Sequence, residues 1–177
     1  MQRKKIFTLV LAGLLTAISV VLKFWTIPIT FMGGLAKELN FSPVIIMYAG
    51  ILLGPFYGGV IGGITDVLGH FLKPFGAYLP WFTITNVLMG LLPGLLCKKK
   101  KPETFWQTLL PVGVTWTLCS AVFNNIILVA LGFLPVKIAL LRAVGTLLLI
   151  PVYNVLVFGL HGLTAPRYNA FLTSHNR

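Results

Sequence analysis

FSPVIIMYAGILLGPFYGGVIGGITDVLGHFLKPFGAYLPWFTITNVLMGLLPGLLCKKKK, residues Phe41 to Lys101, holds three apolar runs, a break at Gly54-Pro55, a Gly/Pro/aromatic loop after Lys73 and four lysines at its end. Water would solvate this much hydrocarbon poorly with so few charges. A bilayer accommodates it, provided the backbone polar groups are satisfied within helices. The stretch therefore reads as the centre of an integral membrane protein.

Composition agrees along the whole chain. Of 177 residues 57% are hydrophobic and 10% charged, with a mean hydropathy of +0.93, whereas soluble domains carry about 25% charged residues. The length suits one domain, residues 1–177, with room for several membrane crossings. A net charge of +11 could suit nucleic acid, but the basic residues lie at the ends of apolar runs, where they set membrane orientation. Nucleic-acid binding is not expected, and the lipid bilayer is the partner that composition implies. Cys97 and Cys119 fall on different expected helices without CxxC spacing, so they read as packing residues, with no metal site, redox pair or cofactor. MQRKK followed by IFTLVLAGLLTAISVVL resembles the start of a signal peptide. The run is long, and no small-x-small site leads into a polar domain, so it is expected to stay as the first membrane helix.

Six helices are expected, over about Ile6 to Leu22, Pro43 to Leu53, Phe56 to Leu72, Trp81 to Leu96, Phe105 to Leu131 and Ile138 to Leu163. Lys23 to Ser42 reads as an irregular interfacial loop. Pro55 breaks the chain after Gly54, while Pro111 and Pro151 read as kinks within continuing helices. In the first helix Ala12/Thr16 and Gly13/Ala17 are small pairs four apart, a spacing that lets a second helix approach closely. An even number of crossings puts both termini on one side. If that side is cytoplasmic, it holds nine of the fourteen basic residues: Arg3, Lys4, Lys5, Lys98 to Lys101, Arg167 and Arg177.

In that topology the polar residues of the helices gather toward the outer side. Asp66 and His70 are spaced i, i+4 on the third helix. Thr83, Thr85 and Asn86 open the fourth, Asn124 and Asn125 end the fifth, and Arg142, Thr146 and Tyr153 descend the sixth. An ionised group at membrane depth needs a partner, water or a ligand. One reading is a structural Asp66–Arg142 pair with interhelical asparagine bonds; the other is an outward-opening ligand cavity. Phe75, Tyr78, Trp81 and Phe82, at the same level, could stack on a flat ring, and Arg142 could hold a carboxylate. With Lys37, the candidate ligand residues are Asp66, His70, Phe75, Tyr78, Trp81, Asn86, Asn124, Arg142 and Tyr153.

Enzymatic chemistry finds no constellation to build on. The chain has three carboxylates, Glu38, Asp66 and Glu103, no grouped Ser, His and Asp, and no GxxxxGK[ST]. Active transport would need an energising partner. A self-sufficient secondary transporter would show internal repeats with paired broken helices, and the two halves show no such repeat.

GPFYGGVIGGITDVLG, then KPFGAYLPWFT, then a helix ending LLPGLL resemble the substrate-binding S components of energy-coupling-factor (ECF) vitamin transporters, most of all their folate-type family. The similarity is densest over residues 41–97 and extends to the first helix and to RAVGTLLLIPVYN. It implies an all-α bundle of six transmembrane helices in the bacterial cell membrane, multi-pass, with both termini cytoplasmic. It further implies an outward-facing vitamin site, with folate the expected ligand and pantothenate, a thiamine precursor or riboflavin the alternatives. The partners it implies are a membrane coupling subunit and two ATPase subunits. The first helix of such proteins docks on the coupling subunit through small residues four apart, the place that Ala12, Gly13, Thr16 and Ala17 occupy here.

Overall fold

The computed structural model describes the backbone of residues 2–31, 34–72, 78–97 and 104–174, and the side chains of these except 3, 4, 26–39 and 166–174. In chain order the elements are α1 (Gln2–Phe24), β1 (Thr26–Phe31), β2 (Gly34–Asn40), α2 (Ser42–Leu53), α3 (Pro55–Leu72), α4 (Pro80–Leu96) and α5 (Phe105–Trp116). A π-helical segment (Thr117–Phe123), α6 (Asn124–Ala130), α7 (Val136–Leu148) and α8 (Ile150–Ser174) complete the chain. Residues Phe105–Ala130 form one long apolar helix and Val136–Ala165 another, so the described residues make the expected six rods. Three of them, including Lys5–Phe24, are long and apolar enough to cross a membrane, and Ser42–Leu53 and Pro80–Leu96 are shorter apolar helices.

α2 is the axis of the bundle. Ser42, Val44 and every residue from Ile45 to Leu52 are buried, so α2 meets other helices all round, as an apolar helix without a polar face must. Pro43 occupies its first turn, where a missing N–H costs nothing, and the Ser42 amide donates to Asn40 Oδ1 at 2.8 Å. The helix stops at Gly54, whose φ of +99° is open to glycine and whose N–H closes on Gly50 O at 3.1 Å. Pro55 then opens α3.

Glycines let α3 and α4 close on this axis. A Cβ on Gly58 would lie 2.3 Å from Gly90 O and 2.6 Å from Gly50 Cα, and one on Gly90 would lie 1.9 Å from Gly58 O. Three backbones thus meet with no side chain between them, the close approach that small residues permit in a membrane, where dispersion holds helices together. Pro111 lies inside α5, and Pro151 sits in the first turn of α8, just past a break in helical bonding at Leu149.

The segment 23–42 departs from the irregular loop expected of it. Lys23 belongs to the last turn of α1, and β1 and β2 pair as an antiparallel hairpin with Thr26 opposite Asn40 and Ile29 opposite Lys37. β-branched and aromatic residues in TIPITF favour an extended backbone. Pro28 is tolerated because, in a sheet of two strands, every strand is an edge. The weight given to Pro28 and the glycines hid this pattern.

Candidate functional site

Asp66, on α3, is a junction of three helices. Lys23 Nζ of α1 reaches its Oδ1 at 2.7 Å and its backbone oxygen at 3.1 Å. From α4, Asn86 Nδ2 donates to Oδ1 at 3.0 Å and Thr83 Oγ1 to Oδ2 at 2.7 Å. Tyr78 OH lies 2.6 Å from Thr83 Oγ1. Because the threonine proton is already given to Asp66, the tyrosine is the donor in that bond. The carboxylate is almost fully shielded, with a side chain 10% exposed, and such a charge is stable only when paired and hydrogen-bonded. The partner of Asp66 is therefore Lys23, which corrects the Asp66–Arg142 pairing considered from sequence.

His70, one turn beyond Asp66, faces Tyr78 with ring centroids 5.1 Å apart, and Tyr78 stacks on Phe71 at 6.4 Å. Trp81 is 56% exposed on the bundle surface. Phe75 lies outside the described residues. Lys37 lies in β2, opposite Ile29, with its side chain outside them.

A second cluster joins the hairpin to α5, α7 and α8. Tyr153 is buried and stacks on Trp116, with centroids 3.9 Å apart and planes at 28°. Its hydroxyl donates to Asn40 O at 2.5 Å, pinning the end of β2. Trp116 Nε1 donates to Thr146 O at 2.8 Å, and Thr146 Oγ1 to Arg142 O at 2.7 Å. Arg142 itself is half-buried on α7. Of the two asparagines, Asn125 is the more buried; its amide donates to Ala121 O at 2.9 Å and Ala139 O at 3.3 Å, tying the π segment to α7. Asn124, the candidate named from sequence, is half-buried beside it.

Because successive rods run antiparallel, the end of α1, the hairpin, the end of α3, the start of α4, the end of α6 and the start of α7 all belong to one end of the bundle. The Asp66 cluster lies toward that end, whereas Trp116 and Tyr153 lie near the middle of the rods Phe105–Ala130 and Val136–Ala165. Among the described residues no group of His, Cys, Asp and Glu could hold a metal ion.

The four small residues of α1 divide between two faces. Ala12 is buried in the bundle, and Thr16 Oγ1 bonds back to Ala12 O at 2.8 Å. Gly13 and Ala17 are exposed, and nothing lies within 4 Å of where a Gly13 Cβ would stand. They form a shallow track flanked by exposed Leu9, Val10, Leu14 and Val21.

Lys23, Trp116 and Asn40 were not singled out from sequence. Lys23 and Asp66 are 43 residues apart, so no spacing links them. The usable signal was that a carboxylate at membrane depth needs a cation and that Lys23 closes the first apolar run at the same level.

Comparison with known proteins bears on the whole arrangement. The sequence model of the family described as "ECF-type riboflavin transporter, S component" matches residues 3–163. A folate transporter, FolT, from Clostridium novyi (strain NT) is 28% identical over 123 residues, spanning 69% of this chain and 71% of its own. Among solved structures, FolT bound with folic acid superposes with a TM-score of 0.72 at 23% identity, covering 86% of this chain and 90% of that one. The S component of a bacterial ECF transporter superposes at 0.65 and 22% identity, covering 97% and 99%.

Proposed function

Since the chain belongs to the ECF-type riboflavin transporter S component family, a transporter family of multi-pass membrane proteins, we propose that it is the substrate-binding subunit of an ECF importer for folate. The observation that carries the choice of vitamin is the alignment with a folate transporter over 69% of the chain; the likeness of fold to FolT bound with folic acid accords with it. The chain lies in the bacterial cell membrane with both termini in the cytoplasm, where the positive-inside rule puts nine of its fourteen basic residues. Folate enters from the opposite side, at the end of the bundle that holds Asp66, Tyr78 and Arg142, with Tyr153 below them. Arg142 holds a carboxylate of the ligand, a task for which a planar guanidinium is better suited than an ammonium. The exposed Gly13/Ala17 face of α1 docks on the coupling subunit, and two ATPase subunits supply the energy that no motif in this chain provides.

Riboflavin is the second reading, favoured by the description of the matching family. Titration of the purified protein with folate and with riboflavin, followed by quenching of tryptophan fluorescence, decides between them. Saturable folate binding with no riboflavin response is expected, and the reverse would replace folate by riboflavin. In liposomes, folate uptake is expected only when the coupling and ATPase subunits are present with ATP. Uptake by this chain alone would overturn the assignment as a subunit.

A further inference from the structure

We propose that Lys23 is a positioning residue for the outer site, acting through Asp66 to hold the β-hairpin and Tyr78 in one fixed arrangement; the inference rests on the reading of that end as the vitamin site. Lys23 lies two residues before the last residue of the α1-to-β1 connection, with Phe24 ending α1 and Thr26 starting β1. The ion pair thus fixes the last turn of α1, from which the hairpin starts three residues later. On the other side of the carboxylate, the chain Tyr78 OH to Thr83 Oγ1 to Asp66 Oδ2 fixes a residue two positions before the start of α4. One carboxylate thus carries both connections, one on each oxygen. Such a network is cooperative, since loss of one donor changes the charge that the others feel.

A second observation shows that the path of Lys23 is built into α3. A Cβ on Gly69 would lie 2.4 Å from Lys23 Cδ, 3.0 Å from its Cε and 3.0 Å from its Nζ. The lysine stem crosses α3 over a glycine, one turn from the carboxylate it meets. Gly69 is α-helical and does not have positive φ, so its lack of a side chain serves the passage of Lys23. The carboxylate with three side-chain donors is better fitted to holding the walls of a site than to receiving a ligand.

The test separates positioning from plain stability. Lys23→Met leaves Asp66 charged and shielded, so it lowers both melting temperature and folate retention. The double variant Lys23→Met/Asp66→Asn removes both charges and recovers the melting temperature, yet it still lacks the link to α1. By stopped-flow fluorescence, the folate dissociation rate is expected to rise about tenfold in both variants, the equivalent of about 1.4 kcal/mol, with association changed less than twofold. Gly69→Ala, which removes no polar group, is expected to raise dissociation in the same direction, and Lys23→Arg to restore part of the native value. Recovery of the native dissociation rate in the double variant would overturn the proposal, as would a native rate in Lys23→Met. Hydrogen exchange on ligand-free protein provides an arm independent of folate. Faster exchange in Lys23→Met both at β1 and β2 and around Tyr78 supports the proposal even if another vitamin proves to be the ligand. Faster exchange confined to the end of α1 overturns it.

Discussion

Gly90→Ala tests whether backbone contact between α3 and α4 sustains the bundle. The added Cβ would stand 1.9 Å from Gly58 O, 2.3 Å from Gly58 C and 3.0 Å from Gly59 N, against 3.4–4 Å for ordinary contact. All three atoms are backbone, so no rotamer change relieves the clash, and the helices must part by about 1.5 Å in a close-packed interior. A gap of even about 1 Å forfeits up to half of the dispersion energy of each contact it opens. Overpacking costs about 1 to 3 kcal/mol, and with no flexible neighbour here the upper end applies. Alanine returns about 0.5 to 1 kcal/mol through its better helix propensity, leaving a loss of about 2 kcal/mol. For a chain of this size that corresponds to a fall of about 4 to 8 °C in melting temperature. The assay is thermal unfolding of detergent-solubilised protein, followed by circular dichroism, beside Gly13→Ala and Gly159→Ala, where nothing lies within 4 Å of the new methyl group. Those two variants should melt at or slightly above the native temperature. A Gly90→Ala protein melting with them would refute the reasoning.

Three other outcomes follow from the same geometry. Gly13→Leu or Ala17→Leu on the exposed face of α1 should reduce co-purification with the coupling subunit while folate affinity stays within twofold, whereas Ala12→Leu, on the buried face, should lower the melting temperature instead. Arg142→Ala should weaken folate binding by about 2 kcal/mol or more, roughly thirty-fold, and Arg142→Lys should recover only part of it; calorimetric affinities near native in a folded Arg142→Ala protein would remove Arg142 from the site. Tyr153→Phe keeps the stack on Trp116 and deletes the bond to Asn40 O, so it should cost about 1 kcal/mol and speed amide exchange at the end of β2, an effect absent if the hydroxyl is idle.

Membrane class and rod number were legible because they depend on summed hydropathy and on Gly54-Pro55, which are local properties; the polar groups are less one-sided than expected, since Thr108, Asn154 and His161 are buried toward the other end. The hairpin was not legible: Pro28 and the surrounding glycines outweighed the β-branched residues of TIPITF. The ion pair of Asp66 was hidden for another reason. Lys23 and Arg142 are both basic residues near the outer ends of apolar runs, and only the packing of α1 against α3 across Gly69 selects the lysine. Asn125 lies deeper than its neighbour Asn124, just after the π segment at Thr117–Phe123. A seven-residue π segment has no compositional signature that would foretell it. Trp81, grouped with the other aromatics by position in the chain, proved to face outward, since one residue along a helix turns a side chain by about 100°.

The unequal lengths of α2 and α3 shape the whole bundle. They share one end at Gly54, but α2 has 12 residues and α3 has 18, so at a rise of 1.5 Å per residue their far ends differ in height by about 9 Å. Five rods continue past the level where the sixth stops. The chain above that level is the hairpin, anchored by Tyr153 at Asn40 and by the Ser19–Ser42 hydroxyl pair at 2.8 Å. β2 therefore ends about 9 Å below the far end of α3, where Asn40 is held by α8 and Ser42 by α1.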